Sequence, residues 1–439
     1  MPNPPATVKP ADAIFFPGRP NLRLDERQYS PELQRKLVET AAHTKSFVLA
    51  AKMAQVWSGQ AFSERQIGRL TEAIGQELVE QRDAAADDWV HHRCEPTVPD
   101  PVHELVVVSV DGGRVQTREE IRGRGPGVHE AHWREDKIAR LQTMTSTTYT
   151  VDPCPEPPAC FLDTAKLQKF VDAAATTPET PDATPDAAAN TPPADTPAVE
   201  RWQPEPLVRT CVATMRPIDA FRWLVSAEAK RRHFFTALKR AFVGDGQSCN
   251  WTLHERHFPD FTPIIDFLHV AGYLFAAAKA LGRAQSLTNA TIVTQYRTWV
   301  RECWQGRAEA VCQQFRSALD AADIGADVLP DDHVLRPVQE AATYLTNHQD
   351  KMKYPEYRCQ GLPTTSSLIE SQIKEFNYRV KGSEKFWNED NAEAILQVIA
   401  QCLRDDGHDL AGYMATRPGH VYRRRSTQNP KTDPSTTAA

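Results

Sequence analysis

The chain has 439 residues, 41% of them apolar and 25% charged, a length and mixture that allow two or three domains with large cores and exclude a fibrous or wholly disordered polymer. No run approaches the unbroken apolar length of a membrane helix, the opening MPNPPATVKP lacks the apolar centre of a signal peptide, and the nine cysteines are scattered, so a reducing, cytoplasmic setting is expected. The formal charge of −6 argues against a nucleic-acid partner only until it is located: six acids and no Lys or Arg lie between Phe170 and Glu200, and without them acidic and basic residues balance.

Residues 1–29 read as extended or disordered. From 30 to 95 the sequence reads as helices. PELQRKLVETAAHTKSFVLAAKMAQVW carries apolar residues at helical spacing, SGQAF interrupts, and SERQIGRLTEAIGQELVEQRDAAADDWV resumes, with Ser63 and Gln66 forming a capping-box pattern at its start. Helix, short turn and helix with Arg65 and Arg69 outward suit a helix-turn-helix reader of DNA, and suit equally well two helices that only pack or dimerise. HHRC at 91–94 and the pair Cys154 and Cys160 lack the companions a zinc site needs.

From Val102 the texture changes to α/β. VHELVVVSVDGGRVQTREE predicts a strand, HWREDKIARLQTMT and PLVRTCVATM two more, and the Pro-, Thr- and Ala-rich stretch between the last two is a disordered insertion over 170–200. PIDAFRWLVSAEAKRRHFFTALKR predicts a helix opened by Pro217, RAFVGDGQ a short strand, and TPIIDFLHVAGYLFAAAKALG a shorter strand entering a helix. Residues 275–358 read as an all-helical insertion, SSLIESQIKEFNYRV and NAEAILQVIAQCLRDD as two helices within 359–410, and 411–439 as a polar tail. Three strands, a crossover helix and two short strands give the element order of a ribonuclease-H-like mixed sheet flanked by helices, split between 102–274 and 359–410.

Asp111 sits in a β-branched run and is followed by Gly112 and Gly113. Asp-Gly is a common turn signal, but an ionised carboxylate inside a strand is costly unless it meets a cation or a ring of donors. If RAFVGD pairs beside the first strand and TPIID one place further out, Asp245 lies roughly 5 Å from Asp111 and Asp266 about twice that, which favours Asp245 as partner and leaves Asp266 as the alternative. Glu370 follows a Thr and Ser run in the first turn of a helix, where a capping box with Ser367 would also explain it. Three acids brought together at neutral pH call for cations, and oxygen ligands suit Mg²⁺ (or Mn²⁺), two ions of which activate water and stabilise a leaving oxygen. On this reading the glycines after Asp111 make room for a phosphate. His269, three residues after Asp266, can share its side of a helix start and hydrogen-bond to it. Arg379, Lys381 and Lys385 could grip phosphates and Trp387 stack on an unpaired base, against the plainer view of surface charges and a core Trp.

SVDGGRVQTR, GDGQ, DFLHVAGYLFAAAKAL and above all GLPTTSSLIES to NYRVKGSEKFW resemble the DDE transposases of bacterial insertion sequences, over about Val102 to Asp406. The resemblance implies a ribonuclease-H-like catalytic domain whose Asp, Asp, Glu triad falls on Asp111, Asp245 and Glu370. It also implies a DxxH signature, shared with Mutator-like and hAT-like groups, on Asp266 and His269 in a supporting role. Further implications are double-stranded DNA partners (terminal inverted repeats and target DNA) and a location on the nucleoid. Because two ends must be held together, at least a homodimer is expected. The rivals are a nuclease of the same fold without strand transfer and a transposase-derived DNA-binding regulator.

Overall fold

A computed structural model describes residues 29–93, 102–117, 132–164, 168, 202–324, 328–382 and 385–417. The expected extended start, the insertion at 170–200 and the arginine-bearing end of the tail lie outside these residues. The described chain is a mixed α/β structure built on one five-stranded sheet. Its strands are β1 (Leu105–Thr117), β2 (His132–Met144), β3 (Pro206–Thr214), β4 (Lys239–Gly244) and β5 (Thr262–Ile265), in the order β3-β2-β1-β4-β5. β1, β2 and β3 pair antiparallel, whereas β4 and β5 continue from β1 in parallel. The first six residues of β1 are all buried, which explains why LVVVSV reads as a continuous apolar run rather than an alternating one: both of its faces are covered.

The N-terminal region holds three helices, α1 (Pro31–Ala42), α2 (Phe47–Ser58) and α3 (Glu64–Val90). The periodicity suggested a single first helix, but the chain breaks at 43–46 and Ser46 Oγ accepts from Leu49 N at 3.1 Å to start α2. Ser63 and Gln66 do form the reciprocal capping box at the head of α3. Between the strands lie α4 (Ala159–Leu162), the crossover helix α5 (Ile218–Arg231) with Pro217 just outside it as N-cap, and α6 (Ser248–His257). α6 was not expected from the sequence; it is short and buries Trp251, Leu253 and His254 against the end of β4.

Beyond β5 the chain is helical: α7 (Phe267–Ala284), α8 (Asn289–Trp304), α9 (Ala308–Ala321), α10 (Arg336–His348), α11 (Tyr354–Cys359), α12 (Ser367–Val380), α13 (Glu389–Cys402) and α14 (Leu410–Thr416). The last falls where a polar tail was expected to begin; Asp409 caps it, and Tyr413 and Met414 are buried. No helix among the described residues is long and apolar enough to cross a membrane.

Two apolar clusters form. One joins the first half of β1 and β4–β5 to α5–α10. The other joins Val115, Ile138, Cys211 and Ala213 of the sheet to α1–α3 and α12–α14, so the N-terminal helices share a core with the helix that carries Glu370. α3 lies along α13 at a spot where Gly75 is required, because a Cβ there would collide with the Ala394 carbonyl.

Candidate metal centre at the ends of the parallel strands

Register places the acids. Ser109 pairs with Val243, so two residues on Asp111 is level with Asp245; Gly244 pairs with Ile265, so Asp245 is level with Asp266. The three backbone positions therefore stand in a row across neighbouring strands, with the usual spacing of about 4.8 Å between strands. Asp111 shares its side of β1 with Val115, which packs in the same cluster as α12, and α12 crosses β1 to bring Glu370 over that side.

Asp266 is wholly buried and fully satisfied. It accepts from Leu268 N (3.1 Å), Ser366 N (3.1 Å), Ser366 Oγ (2.6 Å) and His269 Nδ1 (2.8 Å). Burial alone would push its carboxyl up; the His269 bond and charge, with the Ser366 and Leu268 donors, hold it below the usual carboxylate range. Burial likewise works against a charged His269, yet the bonded Asp266 and the neighbouring Asp245 and Glu370 raise it to about 9. The expected Asp266–His269 pair is thus present. It also does more: Ser366 is the N-cap residue of α12, so Asp266 anchors the start of the helix that delivers Glu370.

The Ser367–Glu370 capping box does not form. No side chain caps α12, and Glu370 Oε1 is buried with no hydrogen-bond partner. Burial pushes Glu370 up to about 7, with the Asp266 and Asp111 charges adding and His269 and Lys374 opposing. Asp111 is pushed up to about 6 by burial against the bond from Gly112 N (2.7 Å), with Asp245 and Asp266 adding to the rise. Asp245 Oδ1 accepts from Gln247 N (3.0 Å) and Asn250 Nδ2 (2.9 Å).

Among the described residues, the three side chains whose ligand atoms all lie within 4.8 Å of one another are Asp266, His269 and Glu370. Asp111 and Asp245 stand outside that group, each turned onto a local donor, as like charges crowded together require. The chemistry of the close group argues against it as a whole ligand set. Asp266 accepts from four donors, so an ion bound there would have to displace at least one of them. The orphaned Oε1 of Glu370 fits a hard divalent cation held by oxygen, toward which Asp111 and Asp245 would each have to turn from its present donor.

Other expectations need correction. Gly113 leaves no room for a phosphate on the side of Asp111: a Cβ there would lie 2.6 Å from Asp136 Oδ1, because the Asp136 side chain fills that space. Arg379 is 2% exposed; its Nε donates to Ala41 O (2.7 Å) and its guanidinium lies over the Phe47 and Trp387 rings, so it ties α12 to α1 rather than gripping DNA. Trp387 is buried, with Nε1 donating to Val380 O (2.8 Å), and offers no face to a base. Lys385 is half-buried, donates to Arg379 O (2.9 Å), and is pushed down to about 8 by burial. Arg65, Arg69 and Lys381 are exposed. Sequence reasoning missed Ser366, Asn250 and Tyr344, whose hydroxyl donates to Asp245 O at 2.9 Å. Only Ser366, beside the expected helix start, carried a local signal. No protein-family model and no curated protein matches the chain.

Proposed function

We propose that the protein is a DNA transposase of the DDE type, binding the ends of its own element and cutting and joining DNA. The observation that carries this reading is the register that sets Asp111, Asp245 and Asp266 level across β1, β4 and β5, with Glu370 arriving from a helix more than a hundred residues further along the chain. The strand order β3-β2-β1-β4-β5, with the antiparallel and parallel halves meeting at β1, supports a ribonuclease-H-like catalytic domain.

Asp111, Asp245 and Glu370 would hold Mg²⁺ or Mn²⁺, two ions in all, which when bound activate water and stabilise the leaving oxygen of a phosphodiester. Asp266 fixes the start of α12 and hence the height of Glu370 over β1. His269, bonded to Asp266, lies beside Glu370 and steadies that anchor. Arg65, Arg69 and Lys381 are the exposed cations left to contact the backbone of terminal repeats and target, with two chains holding two ends.

The test uses a plasmid carrying the DNA that flanks the gene. Wild-type protein with Mg²⁺ should yield joined target DNA, and Asp111→Asn should lower that rate by more than roughly 100-fold, beyond the loss of an orienting contact. Free ends without joining would make the protein a nuclease; DNA binding with neither product would make it a regulator. An undiminished Asp111→Asn rate removes the metal assignment.

A further inference from the structure

The turn that carries Asp245 packs against α10, with α6 and α7 beside it. Gly246 adopts φ +101, in the left-handed region, and a Cβ on it would lie 2.6 Å from the Tyr344 ring and 3.1 Å from His348 Nε2. Tyr344, on α10, donates its hydroxyl to the carbonyl of Asp245 at 2.9 Å. Its ring stacks on Tyr273 of α7, centroids 4.1 Å apart at 21°, and meets His348 edge-on at 4.9 Å. His348 in turn lies 6.1 Å from Trp251 of α6, the helix whose Asn250 holds the Asp245 carboxylate. Tyr344 is thus a rigid post, fixed on one ring face by α7, that reaches across to the backbone of one acid.

We infer that Tyr344 is a positioning residue for Asp245 and that α10, which supplies it, serves to hold that acid in register with Asp111. The inference rests on the reading of the acids as a metal centre. A carbonyl held by a single buried donor sets the ψ of Asp245 and so the direction of its Cα–Cβ bond. Asn250 and Gln247 hold the carboxylate end, and Tyr344 holds the backbone end. Gly246 is the residue that lets the post come close, since any side chain there would push Tyr344 away.

The test compares the full-length protein with Tyr344→Phe, which keeps the ring stack and removes only the hydroxyl. Hydrogen exchange should quicken over residues 245–250 and stay unchanged over β1 and α12. Calorimetric titration with Mn²⁺ alone should show an affinity lower by roughly tenfold, the scale expected when a contact that orients a ligand is lost. A merely structural tyrosine would lower the thermal midpoint and could loosen 245–250 without moving the Mn²⁺ affinity, and unchanged exchange at 245–250 overturns the inference whatever the enzyme does. Failure of the wild-type protein to bind Mn²⁺ refutes the metal centre and, with it, the functional sense of the inference. Wild-type binding with an equal Tyr344→Phe affinity refutes the positioning role alone.

Discussion

Asp266 and Asp136 are both wholly buried aspartates of the sheet region, one just past the end of β5 and the other inside β2, and they are treated in opposite ways. Asp266 is met by four donors and stays ionised. Asp136 has both oxygens without a partner, and burial pushes it up to about 6. Burial is common to both, so the donors decide which charge the fold supports. At Asp266 the carboxylate organises its surroundings; at Asp136 the surroundings only tolerate it.

The largest effect expected from this contrast is in Asp266→Ala. Removing the acceptor strands His269 and both Ser366 donors, and should cost about 3–5 kcal/mol in a urea unfolding series. A loss below about 1 kcal/mol would mean that the four bonds do not act as a clamp.

The opposite sign is expected at Asp136. Its folded-state value lies above its ordinary one, so the native state binds the extra proton and stability from this group is full below about pH 4 and falls as pH rises through about 6. Asp136→Leu, which removes charge and orphaned oxygens together, should therefore stabilise by about 1–3 kcal/mol at pH 8, with the gain shrinking toward pH 4. A loss of stability at pH 8 would show that the carboxylate has a partner role after all.

The smallest effect separates Asp136 from the proposed ligands. Asp111 and Glu370, raised to about 6 and 7, lose stability over the same rise in pH, and at pH 8 a divalent cation should restore part of it. A Mn²⁺ concentration tenfold above Kd would add about 1.4 kcal/mol. Differential scanning should show that gain in the parent and in Asp136→Leu but not in Glu370→Gln; a gain in all three would place the ion elsewhere.

Asp111 and Asp245 were legible because each follows a β-branched or apolar run and precedes a glycine, Asp111 inside β1 and Asp245 just past β4, and because parallel neighbours in register bring such positions level without further information. Glu370 was found through the Thr and Ser run before it, although the local rule behind that signal, a capping box, is not what the chain does. What stayed hidden depends on distance in the chain. Nothing near Arg379 says that Ala41 will accept from it, and nothing near Tyr344 says that Asp245 lies opposite. A run of basic residues beside a Trp reads alike whether it faces solvent or a core, so the segment 379–387 divided into buried Arg379 and Trp387 and exposed Lys381 only once packing was seen. α6 was missed because ten residues of mixed polarity give too short a periodic pattern.

The bond from Arg379 to Ala41 makes the amino-terminal helices inseparable from the helix that carries Glu370. A polypeptide begun at Val102 would strip the cover from Ile373, Phe376 and Ile395 and leave a guanidinium without its acceptor. Such a shortened chain should clump on expression instead of yielding a soluble fragment, and swapping the first ninety residues for another helical module would need the underside of α12 rewritten to match.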